Sequence, residues 1–243
     1  MVPDREAPEA WRGRVGLIIP SSNRLTEPQF ARYSPPGVQF HVTRLRMTGP
    51  YHTPPLAMLD RIQEAAALLA DAKVDLLLFH CTANSMEGGP GADEAIAAAI
   101  HQATGIPATT TASAVVAALR ALGLHRLVLV SPYTAEVNAR ETAFLEGLGF
   151  TVLAAHGLAL PGSDAYVAYP PAAWYARVLE RRDDRADGYF ISCTNIRAIE
   201  VLADLEAALA RPVVASNQAA LWHVLRRLGI PDAVPGLGRL LTV

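Results

Sequence analysis

Short, almost wholly apolar runs alternate along this chain with longer segments whose apolar residues recur every three or four positions. The first pattern predicts buried strands at 14–20, 38–45, 74–80, 106–110, 126–131, 151–155, 187–192 and 212–215. The second predicts helices over 55–72, 91–104, 112–122, 134–148, 171–182, 195–209 and 217–228. In the helix expected at 195–209, residues Ile196, Ile199, Leu202, Leu205 and Leu209 fall on one apolar stripe. Alternation of this kind implies an α/β protein, parallel sheets flanked by helices.

The pattern also repeats. VGLIIPSSN (15–23) matches LVLVSPYT (127–134), and VDLLLFHCTAN (74–84) matches DGYFISCTN (187–195). From Pro20 to Cys81 is 61 positions, and from Pro132 to Cys193 is again 61. The segments 106–123 and 211–229 each read as an apolar strand, a polar turn and an amphipathic helix closing at glycine. Three matches in the same order point to duplication, and a period above a hundred residues means two related lobes, not a solenoid. The expected lobes are 13–123 and 124–243, with the last helix packing back across the boundary and residues 1–12 forming a loose tail.

Composition narrows the function classes. The chain has 243 residues, is 51% hydrophobic and 18% charged, and carries a net charge of −2, which fits a folded globule and argues against disorder. No Lys/Arg run stands out, so neither nucleic acid nor an anionic membrane is an expected partner. No apolar run reaches transmembrane length, and the first residues lack a signal-peptide core, so a cytoplasmic location is expected. The two cysteines, 112 positions apart, are then expected as free thiols. A homo-oligomer stays open.

Those two cysteines are the main candidates for chemistry. Cys81 and Cys193 each end a buried strand where an open α/β sheet places its ligands. A cysteine just before a helix is favoured as thiolate by the dipole and the free N–H groups. A small buried hydrophobe is the ordinary role of one cysteine; duplicated placement at matched strand ends favours a working pair, one thiol on each face of a small substrate. The turns Ser21-Ser22-Asn23, Thr82-Ala83, Tyr133-Thr134 and Thr194-Asn195 offer hydroxyls, amides and N–H groups for a carboxylate, although the same residues also cap helices. His80 should point away from the Cys81 thiol, because adjacent strand residues face opposite ways. No histidine lies at a metal-like spacing, and neither Gly88-Gly89-Pro90-Gly91 nor the loop 235–239 forms a nucleotide-binding motif.

PSSN at 20–23, Cys81, Pro90-Gly91, SPYT at 131–134, ISCTN at 191–195 and VPGLGRLL at 234–241 together resemble the maleate cis-trans isomerases. That family is grouped with arylmalonate decarboxylase in the aspartate/glutamate racemase superfamily, and the resemblance covers residues 13–241. It implies two pseudo-symmetric lobes and catalysis without metal or organic cofactor. It further implies Cys81 as nucleophile and Cys193 as proton-transferring partner. Asn23, Thr82, Ala83, Tyr133, Thr194 and Asn195 would bind a small carboxylate substrate. Arylmalonate decarboxylases usually have glycine in place of the first cysteine, so Cys81 argues for an isomerase. Two features depart from the family: Thr82-Ala83-Asn84 stands where apolar residues are usual, and Ser163-Asp164 stands where a substrate-binding asparagine is expected. An amino-acid or related 2-substituted-acid racemase, and a non-catalytic carboxylate-binding protein, are the alternatives.

Overall fold

The computed structural model describes residues 12–243. All eight expected strands form. In the first half β1 (Gly13–Pro20), β2 (Val38–Leu45), β3 (Leu76–Phe79) and β4 (Ala108–Thr110) make a parallel sheet of order β2-β1-β3-β4. In the second half β5 (Arg126–Ser131), β6 (Thr151–Gly157), β7 (Gly188–Ile191) and β8 (Val213–Ala215) repeat it as β6-β5-β7-β8. The duplication reaches single hydrogen bonds. Arg14 N donates to Asp75 Oδ2 and Arg126 N to Asp187 Oδ2, both at 2.8 Å and both across 61 positions.

Ten helices connect the described strands: α1 (Thr26–Tyr33), α2 (Leu59–Asp71), α3 (Thr82–Met86), α4 (Ala92–Thr104), α5 (Thr111–Ala121), α6 (Ala135–Gly147), α7 (Ser163–Ala168), α8 (Pro171–Leu179), α9 (Leu202–Leu209) and α10 (Ser216–Arg227). Strand alternation sorts the core. Val15, Leu17, Ile19, Leu76 and Leu78 face a large core continuous with the second sheet, while Ile18, Leu77 and Phe79 face a smaller one beneath α2 and α4. Helix α10 packs against α5, and Thr109 Oγ1 meets His223 Nε2 at 3.1 Å between the halves.

Several expectations need correction. The helix expected from 55 starts at Leu59, after a single 3₁₀ turn at Pro55–Ala57, because Pro54 and Pro55 lack the N–H groups a helix continues through. The helix expected over 195–209 begins only at Leu202, behind a 3₁₀ turn at Ala198–Val201. There the Asn195 N–H is turned back onto the Cys193 sulfur, and the Thr194 carbonyl accepts from Asn23, Thr26 and Asn217. Neither group is free to open a helix. Helices α1, α3 and α7 had no strong periodic signal, being five to eight residues long. The tail expected over 1–12 lies outside the described residues except for Arg12, which is anchored to Asp232 at 2.8 Å.

Candidate active site

Both cysteines follow the same two-residue step beyond a strand, β3 for Cys81 and β7 for Cys193, and both open into one cavity of about 580 Å³ between the halves. The thiols are free, each with only 5–6% of its surface exposed. Cys81 is extended and stands at the N-terminus of α3, its sulfur 3.3 Å from Asn84 Oδ1. Cys193 has φ +126°, a region that residues with a side chain rarely adopt. Two bonds hold it there. Its N–H donates to Ser216 Oγ at 3.1 Å, and the Asn195 N–H points at its sulfur from 3.3 Å.

The helix-terminus argument for a thiolate applies to Cys81 alone, because no helix starts directly after Cys193, and even at Cys81 it does not prevail. Burial pushes both thiols up to about 12, because removing a thiolate from water costs more than the nearby donors return. For Cys81 the Asn84 contact offsets part of this. For Cys193 the offsets come from the Tyr133 phenol and the Asn195 N–H. At neutral pH the resting site therefore holds two neutral thiols.

The polar turns divide into groups that line the cavity and groups that brace it. Asn23, Ala83, Tyr133, Thr194 and Asn195 all line it. Thr82 does not: its side chain is fully buried and donates to Ser216 Oγ at 2.8 Å. The Asn23 amide donates to the Thr194 carbonyl and hydroxyl at 3.2 and 3.1 Å, and its oxygen caps the Leu25 and Thr26 N–H groups. Asn195 accepts from Arg24 N at 2.9 Å. Ser163 and Asp164 also line the cavity; Ser163 Oγ donates to Ser22 Oγ at 3.0 Å, and Asp164 pairs with Arg24 at 2.7 Å. That pairing answers the negative charge of Asp164.

His80 points away from Cys81, as strand alternation requires. It is fully buried, with Nε2 2.9 Å from Asn217 Oδ1 and Nδ1 3.0 Å from Thr111 Oγ1. Burial lowers its pKa to about 4, so the ring is neutral. An amide oxygen can only accept, which puts the ring proton on Nε2. Asn217 in turn donates to the Thr194 carbonyl at 3.0 Å, so His80 braces the turn that carries the other cysteine. Among the described residues no group of His, Cys, Asp and Glu is arranged to hold a metal ion.

Sequence reasoning missed four contributors. Ser216, at the β8–α10 junction, accepts from both cysteine turns. Tyr166, on α7, lines the cavity and packs edge-on against Tyr133, ring centres 5.9 Å apart. Arg140, on α6, lines it as well, bridging Glu87 of the first half and Glu136. Glu141 is fully buried behind Cys193 and accepts from Ser192 Oγ at 2.7 Å. Only the repetition of the polar turn in segments 106–123 and 211–229 could have drawn attention to Ser216; the other three carry no local signal.

A small cavity served by one thiol from each half of a duplicated α/β fold defines a class of site, and comparison with known proteins gives it a family. The arylmalonate decarboxylase family model matches residues 15–241, and the chain belongs to that family. Maleate isomerase of Nocardia farcinica is 31% identical over 242 residues, spanning 94% of this chain and 95% of that protein. Arylmalonate decarboxylase of Bordetella bronchiseptica is 29% identical over 230 residues, spanning 93% and 95%. A solved structure of the Nocardia farcinica maleate cis-trans isomerase, a cysteine-to-serine variant with a covalently bound succinylcysteine intermediate, superposes with a TM-score of 0.87. It is 28% identical and covers 95% of this chain and 98% of its own.

Proposed function

We propose that this protein is a cofactor-independent isomerase that converts a maleate-like cis diacid into its trans isomer through a covalent adduct on Cys81. The observation that carries this reading is the pair of free thiols, delivered by equivalent turns of the two halves into one cavity. A decarboxylase needs one such group, and Cys81 would then have no task.

Addition consumes a thiolate, so Cys81 first loses its proton to solvent. Its sulfur bonds to one alkene carbon, and the π electrons move onto the neighbouring carbon and its carboxylate. The Cys193 thiol gives its proton to that carbon, leaving a succinyl thioether on Cys81 and a thiolate on Cys193. The former double bond is now single and rotates. Cys193 then takes a proton back, the double bond re-forms as trans, and the Cys81 thiolate leaves. Covalent addition replaces one high rotation barrier with several lower ones. The Tyr133 phenol serves as donor to the carboxylate that gains charge, and the N–H groups of the Ala83 and Thr194–Asn195 turns contribute to the same cradle.

The test joins turnover and trapping. Wild-type protein should convert maleate to fumarate, and Cys81→Ser and Cys193→Ser should each lose that activity by at least about 10³-fold, since each thiol has its own step. Intact-protein mass spectrometry of Cys193→Ser with maleate should show one added substrate mass, mapping to Cys81. Solvent exchange into a saturated 2-substituted acid without an alkene product would identify a racemase instead. Near-wild-type rates in either variant would overturn the two-thiol mechanism.

A further inference from the structure

The short helix α7 lies along the cavity and presents three polar side chains to it: Ser163, Asp164 and Tyr166. Two of them are already committed to the first half of the chain, Ser163 to Ser22 and Asp164 to Arg24. These ties fix α7 against the β1–α1 turn. Arg140, the cation in the cavity wall, has one guanidinium nitrogen on Glu87 and another on Glu136, so two carboxylates already answer its charge. The Tyr166 phenol has no such commitment; among the described residues its hydroxyl makes no hydrogen bond. Its ring is held edge-on by Tyr133 at an interplanar angle of 73°, which limits where the hydroxyl can point. The hydroxyl is close enough to both sulfurs for either thiolate to oppose its ionisation, which burial opposes more strongly still, and together they push it up to about 12. It is therefore a dependable donor at neutral pH.

We propose that Tyr166 is a specificity-determining residue whose phenol donates a hydrogen bond to the second carboxylate of the substrate, the one that does not take up charge, and so selects a diacid over a monoacid. This rests on the isomerase reading above. A dianion entering the cavity brings two carboxylates; Tyr133 and the cysteine turns serve the one conjugated to the reacting carbon. The second needs a donor of its own, and Tyr166, beside Tyr133 in the cavity wall, keeps a free one. Because that carboxylate carries the same charge before and during reaction, the bond stabilises ground state and transition state alike. It belongs in KM and not in kcat.

Tyr166→Phe tests this, since it keeps the ring and its packing on Tyr133 while removing only the donor. Steady-state kinetics should be measured on maleate and on maleamate, the half-amide, with the melting temperature of both proteins. A hydrogen bond to a charged group is worth about 10- to 100-fold in binding. The expected result is a KM for maleate raised by about that factor with kcat changed less than about threefold. The preference for maleate over maleamate in kcat/KM should fall about tenfold, with the melting temperature unchanged. An unchanged KM for maleate overturns the assignment, as does an equal loss on both substrates, which would mark Tyr166 as a packing residue. Wild-type protein inactive on maleate would overturn the isomerase reading and this inference with it. An active wild type with a silent Phe variant would overturn the inference alone.

Discussion

Glu141 is a carboxyl in a place where a carboxylate is poorly tolerated. It is fully buried on α6, one oxygen accepting from Ser192 and the other without a partner. Burial raises its pKa from the ordinary 4.5 to about 8, so at neutral pH it stays protonated, and no negative charge stands behind the thiols. The consequence for stability follows from proton counting. Between about 4.5 and 8 the unfolded chain has released this proton and the folded chain still holds it, so stability falls as pH rises through that window. Glu141→Gln abolishes the ionisation. Calorimetry at pH 5 and pH 8 should show the wild type losing on the order of a few kcal/mol more than the variant between the two. Parallel losses would mean that Glu141 ionises normally in the folded state. Comparing two pH values within each protein separates this from any cost of fitting the amide.

At the scale of elements, the β8–α10 junction braces the reactive turns without touching substrate. Ser216 Oγ receives Thr82 Oγ1 from the first cysteine turn and the Cys193 N–H from the second. One hydroxyl thus spaces the two thiols and helps hold Cys193 at its positive φ. Ser216→Ala leaves two buried donors unpaired, and should cost about 1–3 kcal/mol in urea unfolding. A freer Cys193 should reach its protonating position less often, lowering kcat more than it raises KM. Full stability with lowered kcat would still mark Ser216 as a spacer; full stability and full activity would remove it from the support of the site.

For the whole molecule, the two sheets share one core. Val15, Leu17 and Ile19 of β1, Val115 and Leu119 of α5, Leu127 to Val130 of β5 and Val224 and Leu225 of α10 belong to a single buried cluster. Polar ties cross the same boundary, among them His80 to Asn217 and Asn23 to Thr194. Separating the halves would expose apolar surface and strand several buried donors at once. We therefore expect one cooperative thermal transition, with calorimetric and van't Hoff enthalpies in agreement. Two resolved transitions would show that lobes 13–123 and 124–243 fold independently. Among the described residues no helix is long and apolar enough to cross a membrane.

The sequence by itself determined the α/β class, the eight strands, the duplication and the two cysteines, because these depend on periodicity and spacing. A buried strand must be apolar on both faces, and a repeated unit keeps its intervals. Even the turning away of His80 follows from the two-residue period of a strand. What only the tertiary structure decided is which polar groups meet. Asn23 and Thr82 both read as substrate ligands; in the structure Asn23 lines the cavity with its amide reaching across the halves to Thr194, while Thr82 is turned out of the cavity and gives its hydroxyl to Ser216. Arg140, Glu141 and Tyr166 carry no local signal, since they reach the site from α6 and α7. The state of the thiols was decided there too. A helix terminus read from sequence, which the structure keeps only at Cys81, favours the thiolate, but desolvation depends on everything packed around the sulfur, and at both cysteines it is the larger effect.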